Sequence, residues 1–191
     1  MTRIIAGELS GRQLDVPPSA RPTTDRVREA MFSSLGHELG GWAGQRVLDV
    51  FAGSGALGLE ALSRGAATAD FVEQNRSAAA VLRRNLARLG AAARSQVVVA
   101  DATRWRPARS YDLVLVDPPY ALAADAVSRL LADLAIAGGL ADGALVVVER
   151  SSRDPANPLP ADWEVLRRRR YGETTIWYGR AKSSPGDQED T

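Results

Sequence analysis

The chain has 191 residues, close to half of them apolar and a quarter charged, with one histidine, no cysteine and a formal net charge of +1. Such a chain can bury one sizeable core, whereas a second full domain, a disulfide framework, a thiolate metal site and a thiol nucleophile are excluded. No apolar run is long enough to span a bilayer and no apolar signal region opens the chain, so a soluble, cytoplasmic monomer without a metal is expected.

Charge is unevenly spread. Arginine crowds into residues 3–28 and 167–170, the last residues are the acidic GDQEDT, and Lys182 is the only lysine. A GC-rich coding sequence also favours arginine, so abundance alone does not identify a phosphate-binding surface. Residues 3–16 carry short strand-like runs around Ile4, Ile5, Leu14 and Val16, separated by Gly7, Ser10 and Gly11, and predict a hairpin too small to stand alone. After Pro17 and Pro18, Arg21-Pro22-Thr23-Thr24 leads into a helix whose apolar face is Val27, Ala30, Met31 and Leu35, capped by Thr24 or Asp25. Arg26 and Arg28 fall on the opposite face and join Arg3, Arg12 and Arg21 in a basic cluster, either a solvated face or an RNA contact. Residues 1–20 are expected to be a recognition extension outside the main sheet, 21–182 the catalytic domain, and 183–191 a disordered tail.

The chain turns on Arg46 to Gly58, RVLDVFAGSGALG. Val47, Leu48, Val50 and Phe51 predict a buried strand, and Gly53, Gly55 and Gly58 satisfy G-x-G-x-x-G before a helical pattern from Ala56 to Leu62. The first two glycines permit a tight turn and close approach of a ligand; the third lets the helix pack on the strand. Asp49 selects the ligand. A dinucleotide would bring its pyrophosphate to the helix amino terminus, where a carboxylate repels it, whereas S-adenosylmethionine brings a sulfonium and an ammonium that the same carboxylate attracts.

Ala69 to Glu73 predicts a second strand, and Ala78, Leu82, Leu86 and Leu89 a helix ending at Gly90. Glu73 falls about 20 residues beyond the glycine turn, where an acid meets ribose hydroxyls. A third strand, Gln96 to Ala100, ends at Asp101, within reach of an adenine amino group. Three strands in succession that end in acids agree with binding beyond the carboxyl edge of a parallel sheet.

Tyr111 to Val116 is a fourth strand and runs into Asp117-Pro118-Pro119-Tyr120. Two prolines cannot continue a central strand; they leave the Pro118 carbonyl without a ladder donor and project the Tyr120 ring, forming a polar notch beside the first loop. Leu122, Ala126, Leu130 and Leu134 mark another helix stopped at Gly138-Gly139, and Ala144 to Val148 a fifth strand. Trp163 to Tyr171 and Thr174 to Arg180, joined at Gly172-Glu173, predict an antiparallel pair at the sheet edge. Strand alternation sends half of Arg167 to Arg170 to each face. The class is α/β.

These segments together resemble the class I S-adenosylmethionine-dependent methyltransferases, and among them the bacterial 16S ribosomal RNA guanine-N2 methyltransferase family called RsmD. RIIAGELSGRQL, RPTTDRVREAMFSSL, VLDVFAGSGALGLEALSRGA, FVEQN, DPPY and YGETTIWYG carry the resemblance end to end. It implies a Rossmann-like, mostly parallel sheet in the order 3-2-1-4-5-7-6 with the seventh strand antiparallel, S-adenosyl-L-methionine as methyl donor, and a guanine amino group of 16S rRNA, free or in an assembling small subunit, as acceptor. The implied site is Asp117, Pro118, Pro119 and Tyr120 for catalysis, and Asp49, Phe51, Ala52, Gly53, Ser54, Gly55, Glu73, Gln74, Asp101 and Ala102 for the cofactor. Arg3, Arg12, Arg21, Thr23, Arg26 and Arg28 are the RNA-contacting set. An adenine or cytosine amino-methyltransferase acting on DNA or RNA, and more distantly an NAD-dependent oxidoreductase, are the other readings; the missing thiol argues against methylation at cytosine C5.

Overall fold

The structure, a computed structural model, describes residues 2–17 and 24–182. A short hairpin of β1 (Thr2–Arg3) and β2 (Gln13–Leu14) precedes α1 (Asp25–Glu38). The main sheet is built from β3 (Arg46–Val50), β4 (Thr68–Val72), β5 (Ser95–Val98), β6 (Tyr111–Val116), β7 (Leu140–Ser151), β8 (Glu164–Tyr171) and β9 (Thr174–Arg180). Helices α2 (Ala56–Ser63), α3 (Arg76–Arg88) and α4 (Ala124–Ile136) make the crossovers.

The order β5-β4-β3-β6-β7-β9-β8, with β9 antiparallel to β7 and to β8, is the order the resemblance implies. Chain direction across the sheet reverses between β3 and β6, which pair in parallel although β4 and β5 separate them in sequence. The carboxyl ends of those two strands therefore flank the crevice where α/β sheets bind ligands.

Alternation along the strands divides the core. Val47, Phe71, Leu113 and Leu115 face the layer that contains Met31, Phe32, Leu59, Leu62 and Leu82 from α1, α2 and α3. Leu48, Val50, Val114 and Val116 face α4 through Val127, Leu130, Leu131 and Leu134. Sheet strands apolar on both faces are what helices on both sides require. At the edge, Arg167 stacks over Tyr178 and Arg168 over Trp177, at 4.4 and 4.8 Å from the ring centres. Because Tyr178 and Trp177 belong to opposite core layers, the arginines do divide between the faces, and they cover edge aromatics there.

The hairpin is outside the main sheet, as expected, but it is tied into the core. Ile4 and Leu14 are buried with α1 and α2. The wholly buried Glu60 of α2 accepts the N–H groups of Ile5 (2.8 Å) and Ala6 (3.1 Å) and also pairs with Arg64. Ser63 donates to the Ala6 carbonyl and accepts from the Leu9 N–H. Asn85 of α3 grips Asp15 through both its N–H and its carbonyl. Gly7 has φ +87° and an added Cβ would sit 1.8 Å from the Ser63 carbonyl oxygen, so the hairpin docks backbone to backbone.

Glu60→Ala would strand the Ile5 and Ala6 donors in a buried site, at roughly 1–3 kcal/mol each. We expect about 2–4 kcal/mol lost in urea unfolding together with fast hydrogen exchange at those two amides. Unchanged protection at both would show that the hairpin is held by its apolar contacts alone.

Candidate active site

The glycine loop takes the shape its spacing predicts. β3 ends at Val50, Phe51 adopts φ +65°, and Gly53 and Gly55 adopt φ +54° and +81° before α2 starts. A left-handed backbone is costly for a phenylalanine, by about 1–3 kcal/mol, and such strain collects at functional loops. Gly58 serves close packing: a Cβ there would stand 2.3 Å from the Phe71 ring and 3.2 Å from the Asp49 Cβ.

One cleft of about 310 Å³ opens at the carboxyl ends of β3, β4 and β6. Its wall includes Asp49 from β3, Phe51, Ala52, Gly53 and Ser54 from the loop that follows it, Glu73, Gln74 and Asn75 from the second loop, and Asp117, Pro118, Pro119 and Tyr120 from the end of β6. The two motif groups thus meet in one space. Glu73 braces the loop as well as lining the cleft, since one carboxylate oxygen accepts from Gly53 N–H (2.8 Å) and the other from Asn75 N–H (2.7 Å). Each oxygen retains a lone pair for a hydroxyl. Asn75 in turn caps α3 through Ser77 and Ala78.

Other expected residues lie elsewhere. Gly55 is not a wall residue; it starts α2 against Leu82 and Phe71. Asp101 and Ala102 also lie outside the residues that line the cleft, and the Asp101 carboxylate accepts from the N–H and hydroxyl of Thr103. Those bonds, with Arg104 nearby, hold its pKa below the usual value. Arg21 and Thr23 lie outside the described residues. Arg12 and Arg26 are exposed, and Arg3 forms an ion pair with Asp25 at 2.9 Å. Arg28, expected on the solvent face of its helix, is instead 1% exposed and lines the cleft. Its burial costs nothing in helical periodicity, because Arg28 follows Val27 at the margin of the apolar stripe, where tertiary contacts decide the side.

The sequence reading also missed Asn85. This wholly buried helix residue donates to the Ser54 carbonyl at 3.0 Å while it holds Asp15, so it connects the glycine loop to the chain after the hairpin. A polar residue between Leu82 and Leu86 on an apolar face was the available signal.

Electrostatics single out Asp49. Its side chain is buried, and that burial pushes its carboxyl well above the usual carboxylate range; the N–H of Gly58, 2.8 Å from one oxygen, opposes the shift, and the charges of Asp117 and Glu73 add to it. A cleft bordered by these acids stabilises a cationic ligand and disfavours a pyrophosphate.

The model of the family described as conserved hypothetical protein 95 matches residues 2–180. Ribosomal RNA small subunit methyltransferase D of Escherichia coli is 41% identical over 176 residues, which are 90% of this chain and 85% of that one. The chain belongs to this family. The protein of the same description from Haemophilus influenzae is 35% identical over 182 residues, 89% of each chain. The solved structure of yhhF from Escherichia coli superposes with a TM-score of 0.81 at 39% identity, covering 95% of this chain and 98% of that one. The protein is a class I, S-adenosylmethionine-dependent methyltransferase, and the buried acid and the acidic wall of its cleft suit the cofactor's positive charges.

A carboxyl group that keeps its proton more tightly folded than unfolded gives stability that is complete below the usual carboxylate value and is lost as pH rises to the raised one. Asp49→Asn should therefore raise the unfolding midpoint of the ligand-free protein at neutral pH, the amide oxygen still accepting from Gly58. It should also weaken S-adenosylmethionine by tenfold or more in calorimetry. In the wild type, affinity should fall as pH drops through the raised value, whereas adenosine, uncharged, should bind with little pH dependence. A ligand-free variant no more stable than wild type at neutral pH would refute the electrostatic cost assigned to Asp49.

Proposed function

We propose that the protein transfers a methyl group from S-adenosylmethionine to the exocyclic N2 amino group of a guanine in 16S ribosomal RNA. The observation that carries this reading is the meeting of Asp117-Pro118-Pro119-Tyr120 with the Asp49 and Glu73 loops in one cleft. The relatives' description as small-subunit ribosomal RNA methyltransferases supports the choice of RNA, and the end-to-end match to the RsmD pattern supports guanine N2. The cytoplasm, where ribosomal RNA is assembled, is the corresponding location, and no helix of the described residues is long and apolar enough to cross a membrane.

Asp49, the backbone of Gly53 and Ser54, Glu73 and Gln74 would hold the cofactor, Glu73 through the ribose hydroxyls. Bound there, it supplies an electrophilic methyl group. The chain's own task is to make a poor nucleophile reactive. The lone pair of an exocyclic amine is delocalised into the base, and acceptance of its two N–H groups by the Asp117 carboxylate and the Pro118 carbonyl localises that pair. Pro118 has this carbonyl to offer because the ladders of β6 with β3 and β7 end at Val116. The Tyr120 ring, 55% exposed at the rim, is placed to stack on an extruded base. Asp117 also receives the proton that the amine must shed.

Arg3, Arg12 and Arg26 are assigned to RNA contact, together with Arg21 and Thr23. Arg28 is removed from that set by its burial. The edge arginines of β8 provide a second basic surface.

Asp117→Ala should abolish turnover by at least 100-fold while S-adenosylhomocysteine binds within a few-fold of wild type, because its contacts strengthen towards the transition state. Asp117→Asn should retain part of the rate through its amide oxygen. An alanine variant with wild-type turnover on 16S RNA would remove Asp117 from the chemistry, and product mapped to an adenine would overturn the assignment of guanine.

Each phosphate contact adds about 0.7–0.9 to the slope of log affinity against log salt. Arg12→Ala and Arg26→Ala, both at exposed positions, should each leave the melting temperature unchanged and flatten that slope by about that amount. Slopes equal to wild type would assign these arginines to solubility alone.

A further inference from the structure

A second, open depression of about 370 Å³ lies beside the cleft, lined by Tyr120, Ser151, Arg153, Asp154 and Glu173. Tyr120 borders both spaces, so it separates the notch at Asp117 and Pro118 from this neighbouring hollow. Sheet register puts the two side by side. β7 pairs with β6 at Val148 and Val116 and with β9 at Ser151 and Thr174, so the loop after β7 and the turn between β8 and β9 meet next to the end of β6. The methyl-transfer chemistry makes no use of the hollow.

Its wall is held firmly. The Ser152 N–H donates to the Glu173 carbonyl at 2.7 Å and the Asp154 N–H to the Ser151 carbonyl at 3.0 Å, which ties the loop to the turn. Arg150, only 4% exposed, donates through Nη2 to one oxygen of Asp154, and the other oxygen accepts from the Ala156 N–H at 3.1 Å. The bond to Arg150 is the main reason that the Asp154 pKa lies below the usual carboxylate value. A buried cation is costly, and this one keeps a single carboxylate charged and oriented at the wall of the hollow. Each Asp154 oxygen retains a lone pair for a further donor. Arg153 stands in contrast: it pairs with Glu173 at 2.8 Å while the two side chains are 83% and 81% exposed, a contact that water weakens and a phosphate can displace.

A polymeric substrate brings neighbours along with its target base, and they must lie against the rim of the cleft. A fixed carboxylate repels a phosphate but accepts from the amino group of a base. Uracil lacks such a group, and its N–H stands between two carbonyl oxygens that a carboxylate disfavours. Successive bases of one strand can lie on the two sides of Tyr120, as they do around side chains that wedge into base steps.

We propose that this hollow is the subsite for a nucleotide adjacent to the target guanine, one whose base bears an exocyclic amino group. Asp154 accepts from that group, and Arg153, released from Glu173, meets the phosphate that joins the two nucleotides. This rests on the reading of the substrate as a guanine in RNA. The subsite selects sequence context and leaves the chemistry to Asp117 and Pro118.

The test is methylation of 16S RNA and of reconstituted small subunits in which each nucleotide flanking the mapped guanine is replaced in turn. At one flanking position only, the natural base should carry an amino group, and uracil there should lower kcat/KM at least tenfold. Asp154→Ala should reduce that preference to less than threefold and bind S-adenosylhomocysteine within twofold of wild type. Asp154→Asn, whose amide oxygen still accepts from Arg150, should shift the preference towards uracil, because its N–H groups donate to a carbonyl. Arg153→Ala should flatten the slope of log affinity against log salt by about 0.7 and leave the base preference in place. A wild type that takes uracil at both flanking positions as readily as the natural bases would overturn the proposal whatever the variants do. A preference that survives unchanged in both Asp154 variants, or a salt slope unchanged in Arg153→Ala, would do the same. Absence of methyl transfer by the wild type, or product at a base other than guanine, would instead remove the reading beneath it, and is seen before any flanking base is changed.

Discussion

Asp49 is an acid that the fold forces into its interior. It lies on an inner strand of a mostly parallel sheet, covered by the helix that follows it, and a close N–H from Gly58 partly offsets the loss of water. That N–H can approach only because residue 58 has no side chain and packs against Phe71. The helix start, the left-handed turn at Gly53 and Gly55 and the strained Phe51 all follow from bringing α2 back over the strand so tightly. Hydrophobic packing would be better served by an apolar residue at 49. The acid makes sense as a group whose cost is relieved by a ligand, since a cation in the cleft lowers the free energy of the charged form that burial raises.

The polar groups that shape this site come largely from helix faces turned inward. Glu60, Asn85 and Arg28 are each essentially without solvent exposure, and each binds backbone that has no other regular partner. Glu60 holds the first strand of the hairpin, Asn85 holds the chain beyond its second strand and the Ser54 carbonyl, and Arg28 holds the Arg3 carbonyl. The hairpin, too short to stand alone, is thus completed by three helices that also build the cleft. A segment expected to recognise RNA is therefore bonded, through the single side chain of Asn85, to the glycine loop that lines the cleft.

Most of the architecture was legible because it is governed by short-range rules. Strands Tyr111–Val116 and Thr174–Arg180 have the bounds expected from their apolar runs, and the glycine spacing gave both the turn and the packing role of Gly58. β7 extends beyond Ala144 to Val148, to Leu140–Ser151, because pairing with β9 and β6 continues past the apolar core of the segment. Periodicity placed Arg28 with Arg26 on a solvent face, yet a helix lying under a hairpin has no clear solvent side at that angle. Asp101 is read from its place at a strand end, and its Oδ1 accepts from Thr103, two residues on, which orients the carboxylate and leaves Oδ2 without a hydrogen bond from Thr103. The bonds of Arg28 to Arg3, of Glu60 to Ile5 and Ala6, and of Asn85 to Asp15 and Ser54 join residues tens of positions apart, and no local pattern encodes them.

An acidic cleft poses a difficulty for an enzyme of RNA, because the polyanion must deliver one base to carboxylates that repel its backbone. Separation of the two tasks in space resolves it. On the proposed reading the base, uncharged and offering N–H donors, goes to Asp117 as the one part of the substrate that an acid attracts, and the exposed arginines outside the cleft are the groups proposed for the phosphates. The net charge near zero is therefore the sum of two opposed local fields, and the catalytic arrangement depends on keeping them apart.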